Sequence, residues 1–225
     1  LPEETRTDIS IFIDTANLDE IKEAQDMGIL DGVTTNPSLM AKEGITGADN
    51  ILAHYKKICD LVDGDVSAEV ISTDFDGMVE EGEKLVKISP QIVIKVPMIK
   101  EGVKAIKYFS DKGYRTNCTL VFSSGQALLA AKAGATYVSP FIGRLDDIST
   151  DGLGLIADIR LIYDNYGFET EILAASVRHV MHIIDCAKIG ADVMTGGLGA
   201  ITGLLKHPLT DSGLEKFLAD YKKGN

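Results

Sequence analysis

The stretch Ile92-Val93-Ile94-Lys95-Val96-Pro97 decides how the rest of this chain is read. Its β-branched residues predict a strand, and apolar side chains at successive positions predict cover on both faces. Such strands belong to parallel sheets flanked by helices. Lys95 breaks the run, and a lysine is almost never fully buried without a partner or a task. Two readings stand. Either Lys95 reaches the strand end or pairs with Glu69, or desolvation disfavours its ammonium form so that the amine attacks a carbonyl to form a Schiff base.

Outward from this strand the same rhythm repeats: a short apolar run, a loop, then a longer amphipathic stretch. Strands are predicted at 11–14, 32–35, 66–70, 92–96, 116–121, 137–139, 171–175 and 192–195. Helices are predicted at 17–27, 49–63, 74–86, 101–111, 124–132, 151–166, 178–188, 198–205 and 211–222. Eight strands in 225 residues leave about 28 residues per unit, near the minimum for a βα repeat. An open doubly wound sheet accommodates eight strands, but usually carries a glycine-rich phosphate loop after its first one. Here the first strand runs into Asp14-Thr15-Ala16-Asn17, with no such loop. The reading is therefore an α/β fold, a closed (β/α)8 TIM barrel with a C-terminal helix. No linker divides the chain, so 1–225 is expected to form a single domain. Leu214, Phe217, Leu218 and Tyr221 give the last helix an apolar stripe for packing.

Composition narrows the function classes. Apolar residues are 45% and charged residues 25%, an ordinary globular balance. Scaling predicts that about 70% of the chain's surface is buried on folding, enough for a core without metals or disulfides. The net charge of -12 argues against a nonspecific grip on nucleic acid or on an anionic membrane. It does not exclude an anionic small molecule held by a few local cations. The three cysteines, Cys59, Cys118 and Cys186, are widely spaced and suggest neither a disulfide framework nor a zinc site. No apolar run is long enough to span a membrane. Cysteines so spaced fit a reducing compartment, and a cytoplasmic setting is expected; from Leu1 onward the basic and long apolar regions of a signal peptide are missing.

In a barrel the C-terminal strand ends carry function. The polar residues there are Asp14, Thr34, Asn36, Glu69, Lys95, Asn117, Thr119, Ser139, Arg144, Ser176 and Arg178. Asp14 is either a cap for the following helix or a proton acceptor for carbon–carbon cleavage at a Schiff base. Glu69 is either a structural partner of Lys95 or, with Thr119 and a water, a proton relay. Asn36 precedes Pro37 at a helix start and reads as a cap or as a hydroxyl-binding amide. Asn117 and Thr119 share one face if their strand is regular, which turns Cys118 toward the core. Arg144 and Arg178 sit in adjacent βα loops, each with a serine a few residues upstream, a pattern suited to a phosphate. His54, His179, His182 and His207 lack metal spacing, and His179 and His182 are assigned to a helix face.

Taken together, these residues resemble the transaldolase family in its short form, and the related fructose 6-phosphate aldolases. The matching pieces include Phe12-Ile13-Asp14-Thr15-Ala16-Asn17, Val33-Thr34-Thr35-Asn36-Pro37-Ser38, Ser67-Ala68-Glu69-Val70 and Ile94-Lys95-Val96-Pro97. Thr116-Asn117-Cys118-Thr119-Leu120, Ser139-Pro140-Phe141-Ile142-Gly143-Arg144 and Ala174-Ala175-Ser176-Val177-Arg178 continue the match in order. The resemblance implies that Lys95 is the Schiff-base lysine, Asp14 the acid/base, and Glu69 and Thr119 the holders of a catalytic water. It places Thr34, Asn36, Asn117, Ser139 and Phe141 around the substrate, and Arg144, Ser176 and Arg178 around its phosphate. It implies no cofactor and no metal. The partners it implies are small sugar phosphates: a dihydroxyacetone unit passes from fructose 6-phosphate or sedoheptulose 7-phosphate to an aldose phosphate, as in the pentose phosphate pathway. It also implies a homo-oligomer, a decamer of two pentameric rings, in which 211–222 reaches a neighbouring subunit.

Two positions separate transferase from lyase within the resemblance. The aldolases are similar but carry Gln at Glu69 and Tyr at Phe141, so this chain follows the transaldolase pattern. One region departs from it: Thr195-Gly196-Gly197-Leu198-Gly199 stands where the family shows threonine–x–proline, and a different loop shape is expected there.

Overall fold

In the computed structural model, residues 8–224 are described; the reading of the chain's first residues as free of a leader lies outside them. The expected barrel is present. Eight parallel strands close in sequence order, β1 (Ser10–Asp14), β2 (Gly32–Thr34), β3 (Asp65–Glu69), β4 (Ile92–Pro97), β5 (Thr116–Val121), β6 (Tyr137–Pro140), β7 (Glu171–Ala174) and β8 (Val193–Gly196). Closure comes from β1 pairing with β8, Phe12 beside Thr195. The helices are α1 (Leu18–Asp26), α2 (Pro37–Lys42), α3 (Ala48–Leu61), α4 (Phe75–Leu85), α5 (Lys100–Asp111) and α6 (Ser124–Ala133). They continue with α7 (Ile142–Asp146), α8 (Gly152–Tyr166), α9 (Val180–Ile189), α10 (Leu198–Gly203) and α11 (Pro208–Lys223).

Two concentric cores follow from strand alternation. Outward-facing Ile13, Val33, Val66, Ala68, Ile94, Val96, Cys118 and Val138 pack under the helices. Inward-facing Phe12, Val93, Tyr137, Leu173 and Val193 fill the lower barrel, with Phe12 edge-on to Tyr137 at 6.0 Å. Phe12 needs its neighbour small: a Cβ on Gly32 would stand 2.7 Å from the Phe12 ring. Higher up, the even-numbered strands turn Thr34, Lys95, Ser139 and Thr195 inward, the four-from-alternate-strands layering of such barrels.

Helix ends follow local chemistry. Asn17, Asn36, Asp74, Ser123 and Asp151 each cap a helix through the side chain. Gly134 and Gly190 close α6 and α9 at φ +91° and +99°, where a side chain would be strained. Two short helices escape the periodicity reading, α2 and α7, because five or six residues are too few to show it. The regularity assumed for β5 holds against β4 as far as Thr119, then fails on the β6 side: Leu120 takes φ +59° in a bulge. The last helix starts three residues earlier than expected, and its apolar side chains lie in solvent, Leu209 73%, Phe217 73% and Tyr221 72% exposed. Among the described residues no helix is long and apolar enough to cross a membrane.

Candidate active site

A cavity of about 210 Å³ opens among the strand ends and the loops that follow them. Asp14, Thr34, Asn36, Lys95, Ser139 and Phe141 line one part, and Arg144, Ser176 and Arg178 another. Nine of the twelve sequence-predicted residues thus line one cavity. The other three, Glu69, Thr119 and Asn117, do not line it.

Lys95 is 6% exposed, and its amine has two partners. Nζ donates to the Thr35 carbonyl at 3.0 Å and stands 3.5 Å from Glu69 Oε2. Burial pushes the Glu69 carboxyl above its usual range; the Lys95 charge opposes this, and nearby Asp14 adds to it. A carboxyl so placed keeps its proton to higher pH than an exposed one. Its backbone is fixed as well, the Glu69 N–H donating to the Tyr55 hydroxyl at 3.2 Å. Tyr55 lies on α3, 1% exposed, and only this contact with Glu69 sets it apart from any core tyrosine.

Asp14 is not the cap of α1, since Asn17 takes that place by accepting from the Glu20 N–H. Freed of capping, its Oδ1 accepts from Thr34 Oγ1 at 2.8 Å. Thr34 Oγ1 in turn stands 2.5 Å from Thr195 Oγ1. The single Thr34 proton is committed to Asp14, so Thr195 is the donor in that second bond. Thr195 was not among the predicted residues. Its signal was a hydroxyl at the end of β8, and only closure of β8 onto β1 brings it within reach.

Asn36 is the helix cap that its place before Pro37 predicts. Oδ1 caps α2 through the Leu39 N–H at 2.9 Å, which leaves the amide NH2 for the cavity. Asn117, fully buried, donates to Ser67 Oγ at 3.2 Å and accepts from Ser139 Oγ at 2.7 Å. It reaches the cavity through Ser139. Thr119 is buried just before the bulge, and Cys118 between them faces the helix layer, its thiol pushed up to about 12 by burial. That makes it core, as predicted.

At the other end, the two arginine loops are joined. The Ile142 and Gly143 N–H groups donate to the carbonyls of Ala175 and Ser176 at 3.0 and 2.8 Å. Ser176 sits at φ +56°, a conformation that costs a non-glycine residue roughly 1–2 kcal/mol. The turn aims its Oγ at the Arg144 N–H, 3.2 Å away. The Arg144 guanidinium lies over the Phe141 ring at 4.9 Å, and Phe141 packs on Phe122. Arg178 is held by Asp147 at 2.6 Å. Both arginines are solvent-facing at the cavity mouth, where a dianion would find a rigid pair of forks. The two histidines assigned to a helix face divide: His179 is the cap of α9, and His182 is buried one turn in. Gly196 and Gly197, the departing segment, also line the cavity. Among the described residues no group of three His, Cys, Asp or Glu side chains is placed to hold a metal.

Known proteins resemble this chain over nearly its whole length. Residues 11–224 match the family model described as transaldolase/fructose-6-phosphate aldolase. A probable transaldolase of Cytophaga hutchinsonii is 75% identical over 217 residues, 96% of this chain and all of that protein. Probable transaldolases of Flavobacterium psychrophilum and Phocaeicola vulgatus are 72% and 67% identical, again over 96% of this chain and all of each relative.

Proposed function

Because the chain belongs to the transaldolase/fructose-6-phosphate aldolase family, we propose that it moves a dihydroxyacetone unit between sugar phosphates through a Schiff base on Lys95. The donor is fructose 6-phosphate or sedoheptulose 7-phosphate, and the acceptor is glyceraldehyde 3-phosphate or erythrose 4-phosphate. These are the exchanges of the pentose phosphate pathway, in a cytoplasm whose reducing conditions suit three unpaired, buried thiols. The observation that carries the reading is one cavity with a buried lysine beside two carboxylates at one end and two joined arginines at the other.

The chemistry follows from those positions. Lys95 adds to the C2 carbonyl as the neutral amine, and the carbinolamine loses its hydroxyl as water, with Glu69 supplying the proton. Asp14 then takes the proton of the C4 hydroxyl. Electrons of the C3–C4 bond pass into the iminium, leaving an enamine on Lys95 and releasing the aldose phosphate. The acceptor aldehyde enters, the enamine carbon attacks it, and Asp14 returns the proton to the new hydroxyl. Water held by Glu69 and Thr119 completes hydrolysis. Asn36 and Ser139 suit the sugar hydroxyls, with Asn117 fixing Ser139; Arg144, Ser176 and Arg178 suit the phosphate.

Transfer rather than cleavage is favoured by the ring at Phe141. It is apolar, packed between Phe122 and the Arg144 guanidinium, and offers no hydroxyl to protonate a waiting enamine. The test is release of glyceraldehyde 3-phosphate from fructose 6-phosphate, with and without erythrose 4-phosphate. Turnover only with acceptor supports a transaldolase; equal turnover without it, with free dihydroxyacetone, makes the protein an aldolase. Borohydride trapping that persists in Lys95→Ala would overturn the Schiff-base assignment.

A further inference from the structure

His182 takes no part in the chemistry above, yet it touches both loops of the arginine pair. Its ring is 2% exposed. Nδ1 accepts from the Arg178 backbone N–H at 3.0 Å, and Nε2 stands 2.7 Å from Asp146 Oδ2. An amide N–H only donates, so Nδ1 carries the lone pair; the ring proton is on Nε2 and is given to Asp146. Asp146 is itself fixed, its Oδ1 accepting from the Gly152 N–H at 3.1 Å. That bond, more than the contact with His182, holds the Asp146 carboxyl below its usual range. The other face of the ring stacks on His179 at 3.9 Å.

These bonds have a common geometry. Asp146 lies two residues after Arg144 on the same short helix, and Arg178 is the residue whose N–H is held. One imidazole therefore ties the backbone of one arginine to the helix that carries the other. Rotating either loop breaks one of these bonds, and at the His182 end, where the ring is buried, solvent cannot replace it; the Asp146 end is 42% exposed. We infer that His182 is a positioning residue, which sets the separation of Arg144 and Arg178 for a single phosphate group and so raises affinity for phosphorylated substrates without touching them. This rests on the reading of those two arginines as phosphate ligands. A merely structural buried histidine would lower thermal stability and leave substrate discrimination alone. A ring supporting two ligands from behind alters affinity for the group they hold.

Three variants divide its two bonds. His182→Leu loses both. His182→Asn puts a carbonyl oxygen where Nδ1 stands and keeps the bond to Arg178, while His182→Gln reaches Asp146 and loses Arg178. KM and kcat are measured with fructose 6-phosphate and with unphosphorylated fructose, together with the inhibition constant of inorganic phosphate. In His182→Leu we expect KM for fructose 6-phosphate and the phosphate inhibition constant to rise together by about tenfold. His182→Asn and His182→Gln each keep one end of the tie and lose the other, so both should show the same paired rise, smaller than in His182→Leu. In all three, kcat stays within about twofold and kcat/KM for fructose is unmoved. If the variants lower only the melting temperature, or if the Asn and Gln variants both match the parent protein in KM and phosphate inhibition, the positioning role is wrong. The phosphate reading has its own control: Arg178→Ala should abolish the preference for fructose 6-phosphate. If the parent protein shows no such preference and no phosphate inhibition, that reading has failed and the role of His182 goes with it. Should His182→Leu not fold, the Asn and Gln pair decides alone.

Discussion

The Gly143 N–H donates to the Ser176 carbonyl at 2.8 Å, across an approach so close that a Cβ on Gly143 would stand 2.2 Å from that oxygen. The same Cβ would meet Arg178 Nε at 2.5 Å. Glycine is required here by the space between two loops, since the position has no positive φ. Ser176, strained at φ +56°, is the partner that makes the approach possible. The two arginine loops therefore behave as one body.

Gly143→Ala forces them apart. We expect a loss of about 2 kcal/mol or more in folding free energy, because backbone and not a flexible side chain must move. KM for a phosphorylated donor should rise several-fold alongside. Urea unfolding and initial rates check both; a variant of parental stability would show that the loops slide freely.

The relay Thr195 to Thr34 to Asp14 predicts graded losses. Thr34→Val removes the bond to the carboxylate itself, and kcat should fall roughly tenfold with KM little changed. Thr195→Val leaves that bond but takes away its support, so the fall should be smaller. Steady-state kinetics of the two variants decide it. Equal and large losses would mean that Thr195 contacts substrate instead.

Glu69 gives a pH signature. Its folded pKa is raised above the ordinary 4.5, chiefly by burial. Above about pH 4.5 the unfolded chain releases this proton while the folded chain still holds it. Stability contributed by the protonated carboxyl is thus full below that pH, and is lost as pH climbs through the raised folded value. Glu69→Gln cannot titrate. Its stability relative to the parent should improve as pH rises above about 4.5 in denaturant unfolding. A difference independent of pH would remove burial as the dominant influence on this carboxyl.

The exposed stripe of α11 needs cover. Leu214 is 57% and Leu218 52% exposed, beside the still more open Leu209, Phe217 and Tyr221. A contiguous apolar face of this kind marks an association surface. Sedimentation should give a multiple of 24.2 kDa, ten chains if the ring arrangement is right. Leu214→Glu with Phe217→Glu should release single chains of unaltered circular dichroism. A parent protein sedimenting as one chain would refute assembly through this helix.

The barrel was legible because its signals are local. Strand alternation and burial write themselves into successive residues, so Ile92 to Pro97 reveals cover on both faces before any contact is known. Eight such runs, with glycines such as Gly134 and Gly190 ending the helices between them, leave few architectures. The polar residues at the strand ends stand out for the same reason, as breaks in an apolar pattern, and Lys95 is the plainest of them. What the pattern could not carry is how those residues divide their hydrogen bonds. Whether Asp14 caps α1 or faces the cavity was decided by Asn17, which is nearer the helix and takes the Glu20 N–H first. Thr195 and Thr34 are 161 residues apart, and they touch because the last strand closes on the first. His182 reads as one more helix residue until α7 brings Asp146 to its ring. Local sequence determines which faces are apolar, because that depends on neighbours a few residues away. Closure of the sheet determines which polar groups meet, because hydrogen bonds form only within about 3 Å and only the folded chain sets those distances.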